Sequence, residues 1–333
     1  MGKEAVILKN LTIGYKSKQE TNILAGNLNT SLNIGETVAL IGNNGCGKST
    51  LLRTIAGFQK PLTGLVELEG KNISSISIKD KARLISYVST EIINVSNMRV
   101  IDLVKLGRYL YSGWWGSLNS EDKYFVDHCI KITGLKGFEE RLLQSLSDGE
   151  RQRAMIARAL AQDTRVMILD EPTAFLDIRN KYEIIHLLNS LASENGKIII
   201  YSTHDFNIAM NLSDKIWYIK NNSLCDGAPE DLALNRDLDH IFEGSDIKLN
   251  PDNGEFVIDY KKKKGVRFEV NSEILFWVQK ALYRNGYHQD SISDIILKGL
   301  REGEKLKFTV SYLNNDNVLN SVYDLIKFLD SIK

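Results

Sequence analysis

At 333 residues, 43% hydrophobic and with only four prolines, the chain can bury a large core and leaves little room for long disordered segments. Lys plus Arg and Asp plus Glu both total 42, so the formal charge is zero and a general polyanion or nucleic-acid binder is disfavoured. Cys46, Cys129 and Cys225 are far apart and lack metal-ligand spacing, which argues against a disulfide scaffold and for a reducing, cytoplasmic compartment. No apolar run approaches the ~20 residues that span a bilayer. The segment Met1 to Lys9 also lacks the basic stretch, apolar core and cleavage site of a secretion signal, so any membrane role is expected to come through a partner.

In chain order, Ala5 to Tyr15 and Leu28 to Ile34 alternate apolar and polar residues with the period of half-buried strands, which predicts an antiparallel sheet at the start of the fold. Thr37 to Ile41 is a continuous apolar run, followed by a glycine-rich loop and by Ser49 to Ala56, which reads as a helix. From about Asn97 to Ala161 the spacing is mostly helical, with Asn119 or Ser120 as an N-cap before Glu121 and Asp122. Val166 to Leu169 and Lys197 to Ser202 are short apolar runs of the kind found in buried parallel strands. The turn-rich stretch Asn250, Pro251, Asp252, Asn253 and Gly254 then places a domain boundary near Pro251. Beyond it, Val266 to Val270 and Lys307 to Tyr312 alternate like strands. Ile274, Leu275, Val278 and Leu282 recur at helical spacing, and so do Val318, Val322, Leu325, Ile326 and Leu329. Residues 1–249 and 250–333 are thus expected to be two domains, the second a small α/β unit that is a regulatory or dimer-stabilising module or a packing appendage. The run Lys261 to Lys264 reads as a solvated face.

Gly42-Asn43-Asn44-Gly45-Cys46-Gly47-Lys48-Ser49-Thr50 satisfies the phosphate-loop pattern in a strand-to-helix context. Its glycines let several backbone N–H groups curl toward phosphates, where the following helix adds its positive dipole end. Lys48 supplies a cation for the outer phosphates, the Ser49 hydroxyl is the expected Mg2+ ligand, and Thr50 supports the same site. A second apolar strand ends in Asp170 and Glu171. Asp170 can hold Mg2+ through water, while Glu171 is placed to polarise an attacking water.

Leu146-Ser147-Asp148-Gly149-Glu150-Arg151-Gln152-Arg153 resembles the signature sequence of ABC ATPases, with Asp148 where that family has Gly and Glu150 where it has Gln. The resemblance runs from Ala5 to about Phe242 and implies a P-loop NTPase core with an antiparallel β subdomain and a helical subdomain at about 97–161. It implies that the chain binds and hydrolyses ATP as a homodimer, with Ser147 and Gly149 closing over nucleotide held by the other copy. Tyr15 lies where the family stacks an aromatic ring on adenine. Asp177, in Ala174-Phe175-Leu176-Asp177, looks like the aspartate that links the two sites across the dimer, and His204 looks like the switch histidine at the γ-phosphate. One position departs: after Ile85-Ser86-Tyr87-Val88-Ser89 the family has a glutamine that senses Mg2+ and the membrane partner, and this chain has Thr90, then Glu91. Either the Thr90 hydroxyl works through a bridging water or Glu91 takes part.

Val104-Lys105-Leu106-Gly107-Arg108-Tyr109, the aromatic stretch Tyr111 to Trp115, and Pro172 to Asp177 resemble importers of iron siderophores, haem and cobalamin. That resemblance implies a peripheral subunit on the cytoplasmic face of the membrane, docked to permease subunits and served indirectly by a substrate-binding protein. Trp114 and Trp115 are expected near the docking surface. The competing readings are a soluble ABC ATPase acting in assembly or repair without a permease, and a binding-only protein suggested by Thr90.

Overall fold

The computed structural model describes residues 4–18, 20–90, 97–111, 117–242, 246–249, 254, 256–258, 264–313 and 315–332. Glu91, Trp114, Trp115, Asn250 to Asn253 and Lys261 to Lys263 lie outside them. The chain divides into two compact units, residues 1–241 and 242–333.

In the first unit, β1 (Glu4–Lys16) and β2 (Thr21–Asn33) pair antiparallel because Val6, Leu8, Leu11 and Ile13 all turn into the core. The alternation skips a residue between Leu8 and Leu11, where Asn10 takes φ 46° and the register shifts in a bulge. β3 (Thr37–Gly42) leads into α1 (Lys48–Ile55), and β4 (Thr63–Leu68) and β5 (Lys71–Asn72) complete a four-stranded sheet ordered β2-β1-β4-β5. α2 (Ile78–Leu84) and β6 (Ile85–Val88) follow. The helical insert holds α3 (Val100–Leu106), α4 (Ser120–Ile132) and α5 (Asp148–Ala161). The N-cap of α4 is Asn119, whose side chain accepts the Asp122 N–H. Arg108 is a structural clamp in this insert. Its guanidinium donates to the buried Asp122 carboxylate at 2.6 Å and to the Ala161 carbonyl at 3.2 Å, and stacks 3.8 Å from the Tyr111 ring.

β7 (Val166–Leu169), α6 (Ile178–Asn195), β8 (Ile198–Ser202), α7 (Phe206–Leu212), β9 (Lys215–Lys220), β10 (Ser223–Gly227) and α8 (Pro229–Leu234) complete the unit. Its main sheet is ordered β10-β9-β3-β8-β7-β6 and is parallel except for β10. Every residue of β7 and β8 is buried, as expected of strands covered on both faces. The core joining the two sheets includes Leu40, Leu51, Ile168, Ile200 and Trp217, each about 1.5–3 kcal/mol of favourable burial.

The second unit holds β11 (Ile247–Leu249), β12 (Phe256–Ile258), β13 (Gly265–Val270), α9 (Ser272–Arg284), β14 (His288–Gln289), β15 (Ile296–Glu302), β16 (Lys305–Tyr312), β17 (Asn315–Leu319) and α10 (Val322–Ser331). Its five-stranded sheet is ordered β14-β13-β15-β16-β17, over a core of Val278, Leu297, Phe308, Val310 and Leu325. Val318 corrects the helical pattern read from sequence. It sits in β17 opposite Thr309, and the helix starts only after Ser321, whose side chain caps the Asp324 N–H. Its spacing to Val322 mimicked a helical turn, but ladder pairing and a strong N-cap decide the boundary.

Candidate functional site

The glycine-rich loop leaves β3 at Gly42 and enters α1 through Gly47, both at positive φ, 152° and 106°. A β-carbon on Gly42 would stand 2.7 Å from Cys46 Sγ and 3.0 Å from the Ile219 carbonyl oxygen, so both backbone angle and space demand glycine there. No side chain caps α1 and no acidic residue lies in its first turn, which leaves its N–H groups open to an anion. Lys48 is 7% exposed and donates to the Gly42 and Asn43 carbonyls at 2.8 and 3.2 Å, so its ammonium sits over the loop itself. Burial pushes the Cys46 thiol above its usual pKa despite the nearby Lys48 charge, which keeps it neutral. Tyr15, half exposed, shares a 2.9 Å hydrogen bond with the Thr50 hydroxyl and so is tethered to the first turn of α1.

Strand order brings the remaining chemistry to this loop. β8 lies between β3 and β7, with Leu40 opposite Ser202 and Leu169 opposite Tyr201, so the three strands release their next residues at one edge of the sheet. Asp170 and Glu171 follow β7, and His204 follows β8. His204 Nε2 and Glu171 Oε1 are 2.7 Å apart. Glu171 has a left-handed backbone, φ 50°, an unfavourable geometry for a side-chain-bearing residue. Its N–H donates to Ser202 Oγ at 2.8 Å, while the Ser202 hydroxyl donates to Asp170 Oδ1 at 2.7 Å. Tyr87 donates to the other Asp170 oxygen at 3.3 Å, and its own pKa is raised by burial and by that carboxylate. One fully buried hydroxyl, that of Ser202, therefore holds both acidic residues.

Thr90 and Glu171 line one cavity of about 130 Å³, together with Ser89, Gln152 and Phe175. At about 30 Å³ per water it has room for water between the Thr90 hydroxyl and Glu171. The larger groove, about 810 Å³, is lined by His128, Tyr182, His186 and, from the far end of the signature motif, Arg153, and contains no residue of the phosphate loop or the acidic pair.

Ser147, Gly149 and Asp177 form a second group on the first turns of α5 and α6. Among the described residues no hydrogen bond joins them to the loop or the acidic pair. Ser147 caps α5: its Oγ accepts the Glu150 N–H at 3.3 Å, while Glu150 Oε2 accepts the Ser147 N–H at 2.8 Å. Glu150, one of the departures from the signature pattern, is thus the acid of a capping box, and the Ser147 N–H holds its carboxyl below the usual range. Motif spacing assigns no role to Ser202, Tyr87 or Asn180. The available signal for Ser202 is a polar residue ending the apolar run Ile198-Ile199-Ile200-Tyr201.

No helix of the described residues is long and apolar enough to cross a membrane. Residues 25–174 match the family described as ABC transporter, and residues 262–330 match the iron ABC transporter C-terminal domain. The petrobactin import ATP-binding protein FpuC of Bacillus anthracis is 43% identical over 65% of this chain and 80% of its own length. The iron(3+)-hydroxamate import ATP-binding protein FhuC of Bacillus subtilis is 37% identical over 65% of this chain and 79% of its own. Among solved structures, a dimeric post-hydrolysis ATP-binding cassette bound to ADP and Pi superposes with a TM-score of 0.60 at 29% identity, over 67% of this chain and 98% of that one. A phosphate loop beside a strand-end carboxylate pair, a capped signature turn and an iron-transporter tail occur together here, and the chain belongs to the ATP-binding subunits of ABC transporters.

Proposed function

We propose that the chain is the ATP-hydrolysing subunit of an iron-siderophore importer, working as a homodimer on the cytoplasmic face of the membrane beneath permease subunits, which a substrate-binding protein supplies. The observation that carries the chemistry is the contact between His204 and Glu171 at the strand ends beside the phosphate loop. The import reading is supported by the siderophore-import relatives and by the iron-transporter tail, which a permease-free ATPase has no reason to carry. Residues 250–333 act as a separate domain in this reading.

The loop N–H groups of Gly45, Cys46 and Gly47 and the Lys48 ammonium bind the phosphates, with Asn43 and Asn44 shaping the turn and Tyr15 packing on the base. Nucleotide binding draws Lys48 from the loop carbonyls to the outer phosphates. The residues present suit Mg2+: hard oxygen donors from Ser49 and Asp170, and among the described residues no cluster of three or more His, Cys, Asp or Glu that would hold a metal by itself. When bound, Mg2+ supplies charge neutralisation at the β- and γ-phosphates. Ser202 and Tyr87 aim the Asp170 carboxylate, and Thr90 reaches Glu171 across the cavity that the two residues line. Glu171 orients the attacking water and takes its proton, with His204 holding the carboxylate in place. Ser147 and Gly149 close over the nucleotide of the second copy, and Asp177 links the two sites.

Glu171→Gln tests this reading. The parent chain should release phosphate from ATP, and the variant should release it at least about 100-fold more slowly while binding ATP and accumulating as a dimer. A parent without phosphate release, or a variant that stays monomeric with ATP on size exclusion, would overturn it.

A further inference from the structure

One side chain touches both elements that the dimer reading sends to the partner's nucleotide. Asn180, the third residue of α6, donates its backbone N–H to Asp177 Oδ1 at 2.8 Å and its side-chain Nδ2 to Asp177 Oδ2 at 3.0 Å. Both oxygens of the aspartate are thereby held, and its pKa is lowered chiefly by that backbone N–H. The rest of the carboxamide lies over Gly149. A β-carbon built there would stand 2.7 Å from Asn180 Oδ1 and 2.8 Å from its Cγ, closer than side chains pack. Gly149 is not among the residues at positive φ, so its backbone does not require glycine, and a side chain there would displace the Asn180 carboxamide. Farther along the same two helices, Arg153 of α5 pairs with Glu183 of α6, which keeps the helices in register at this end.

We propose that Asn180 is a positioning residue that fixes Asp177 against the signature turn, so that Ser147, Gly149 and Asp177 meet the second copy's nucleotide as one preformed surface. It acts through those residues and does not touch the nucleotide. The inference rests on the dimer reading above. A surface ordered before association loses less conformational entropy on closing than two independent turns would.

The test uses the full chain carrying Glu171→Gln, and measures ATP-dependent dimerisation by ultracentrifugation. Binding of a fluorescent ATP analogue to the monomer is followed at concentrations too low for dimers. Asn180→Ala should weaken the dimer about tenfold or more while leaving monomer affinity for the analogue within about twofold. Gly149→Ala should also weaken it, and the loss in Gly149→Ala with Asn180→Ala should fall short of the product of the two single losses, because with the carboxamide gone the added methyl displaces nothing there. An Asn180→Ala chain that dimerises like its parent overturns the proposal, as do losses that multiply in the double variant. Loss of analogue binding in the Asn180→Ala monomer also overturns it, by showing a general structural role. A parent that never dimerises with ATP overturns the dimer reading itself.

Discussion

Ser202→Ala removes the one hydroxyl that bridges the acidic pair. Ser202 is fully buried, donates to the Asp170 carboxylate at 2.7 Å and accepts the Glu171 N–H at 2.8 Å. Losing a hydrogen bond to a charged group costs about 1.5–3 kcal/mol, and stranding a buried N–H costs about 1–3 kcal/mol. Part of that appears as stability and part as geometry, because the left-handed backbone of Glu171, φ 50°, stores strain of about 1–3 kcal/mol that relaxes once its N–H is released. If between one and two of those kilocalories reach the transition state, turnover falls by about 5- to 30-fold. Phosphate release at saturating ATP measures this, and nucleotide affinity should stay within about threefold, since the loop that binds phosphates is untouched. Ser202→Thr keeps the hydroxyl and should recover most of the rate. A Ser202→Ala chain with unchanged turnover but lowered stability would refute the argument, because the contact would then be purely structural.

Thr90→Gln restores the reach of the amide that Thr90 lacks. It should lower the Mg2+ concentration for half-maximal hydrolysis by about threefold to tenfold, and an unchanged metal titration would show that another group already fills that place. Glu150→Gln tests the cap of the signature helix. The Ser147 N–H depresses the folded pKa of Glu150 below 4.5, so the carboxylate's contribution is present above the unfolded value and lost as pH falls through the folded one. The parent should therefore exceed Glu150→Gln by a few tenths to about 1 kcal/mol near pH 7, a small figure because the carboxylate faces solvent. The gap should close in denaturant titrations as pH falls through and below the ordinary carboxylate range; a gap constant with pH would remove the charged cap from the account.

Local pattern alone determined a great deal. The glycine spacing from Gly42 to Lys48 dictates a loop that only positive φ angles can close, and the two-residue and helical periods of the flanking runs place strand and helix around it. Val166 to Leu169 ending in two carboxylates was equally legible, because a short run buried on both faces must deliver its polar residues at its end. At Val318 the same reasoning failed. A spacing of four residues fits a helix as well as the junction between a strand and a helix, and the pairing of Val318 with Thr309 lies on another strand.

Contacts between segments distant in sequence carry no local period, and tertiary structure alone settled them. Parallel order places β8 between β3 and β7, which sets Ser202 under Asp170 and Glu171 and His204 against Glu171 across 31 to 33 residues of chain. Packing of α5 on α6 likewise set the Asn180 carboxamide against Gly149, a contact that no motif announces. The sequence determined which groups could do the chemistry, since each motif is a statement about neighbours along the chain. Which groups hold them in place depends on strand order and helix packing, where the partner of a buried polar atom is chosen by the fold.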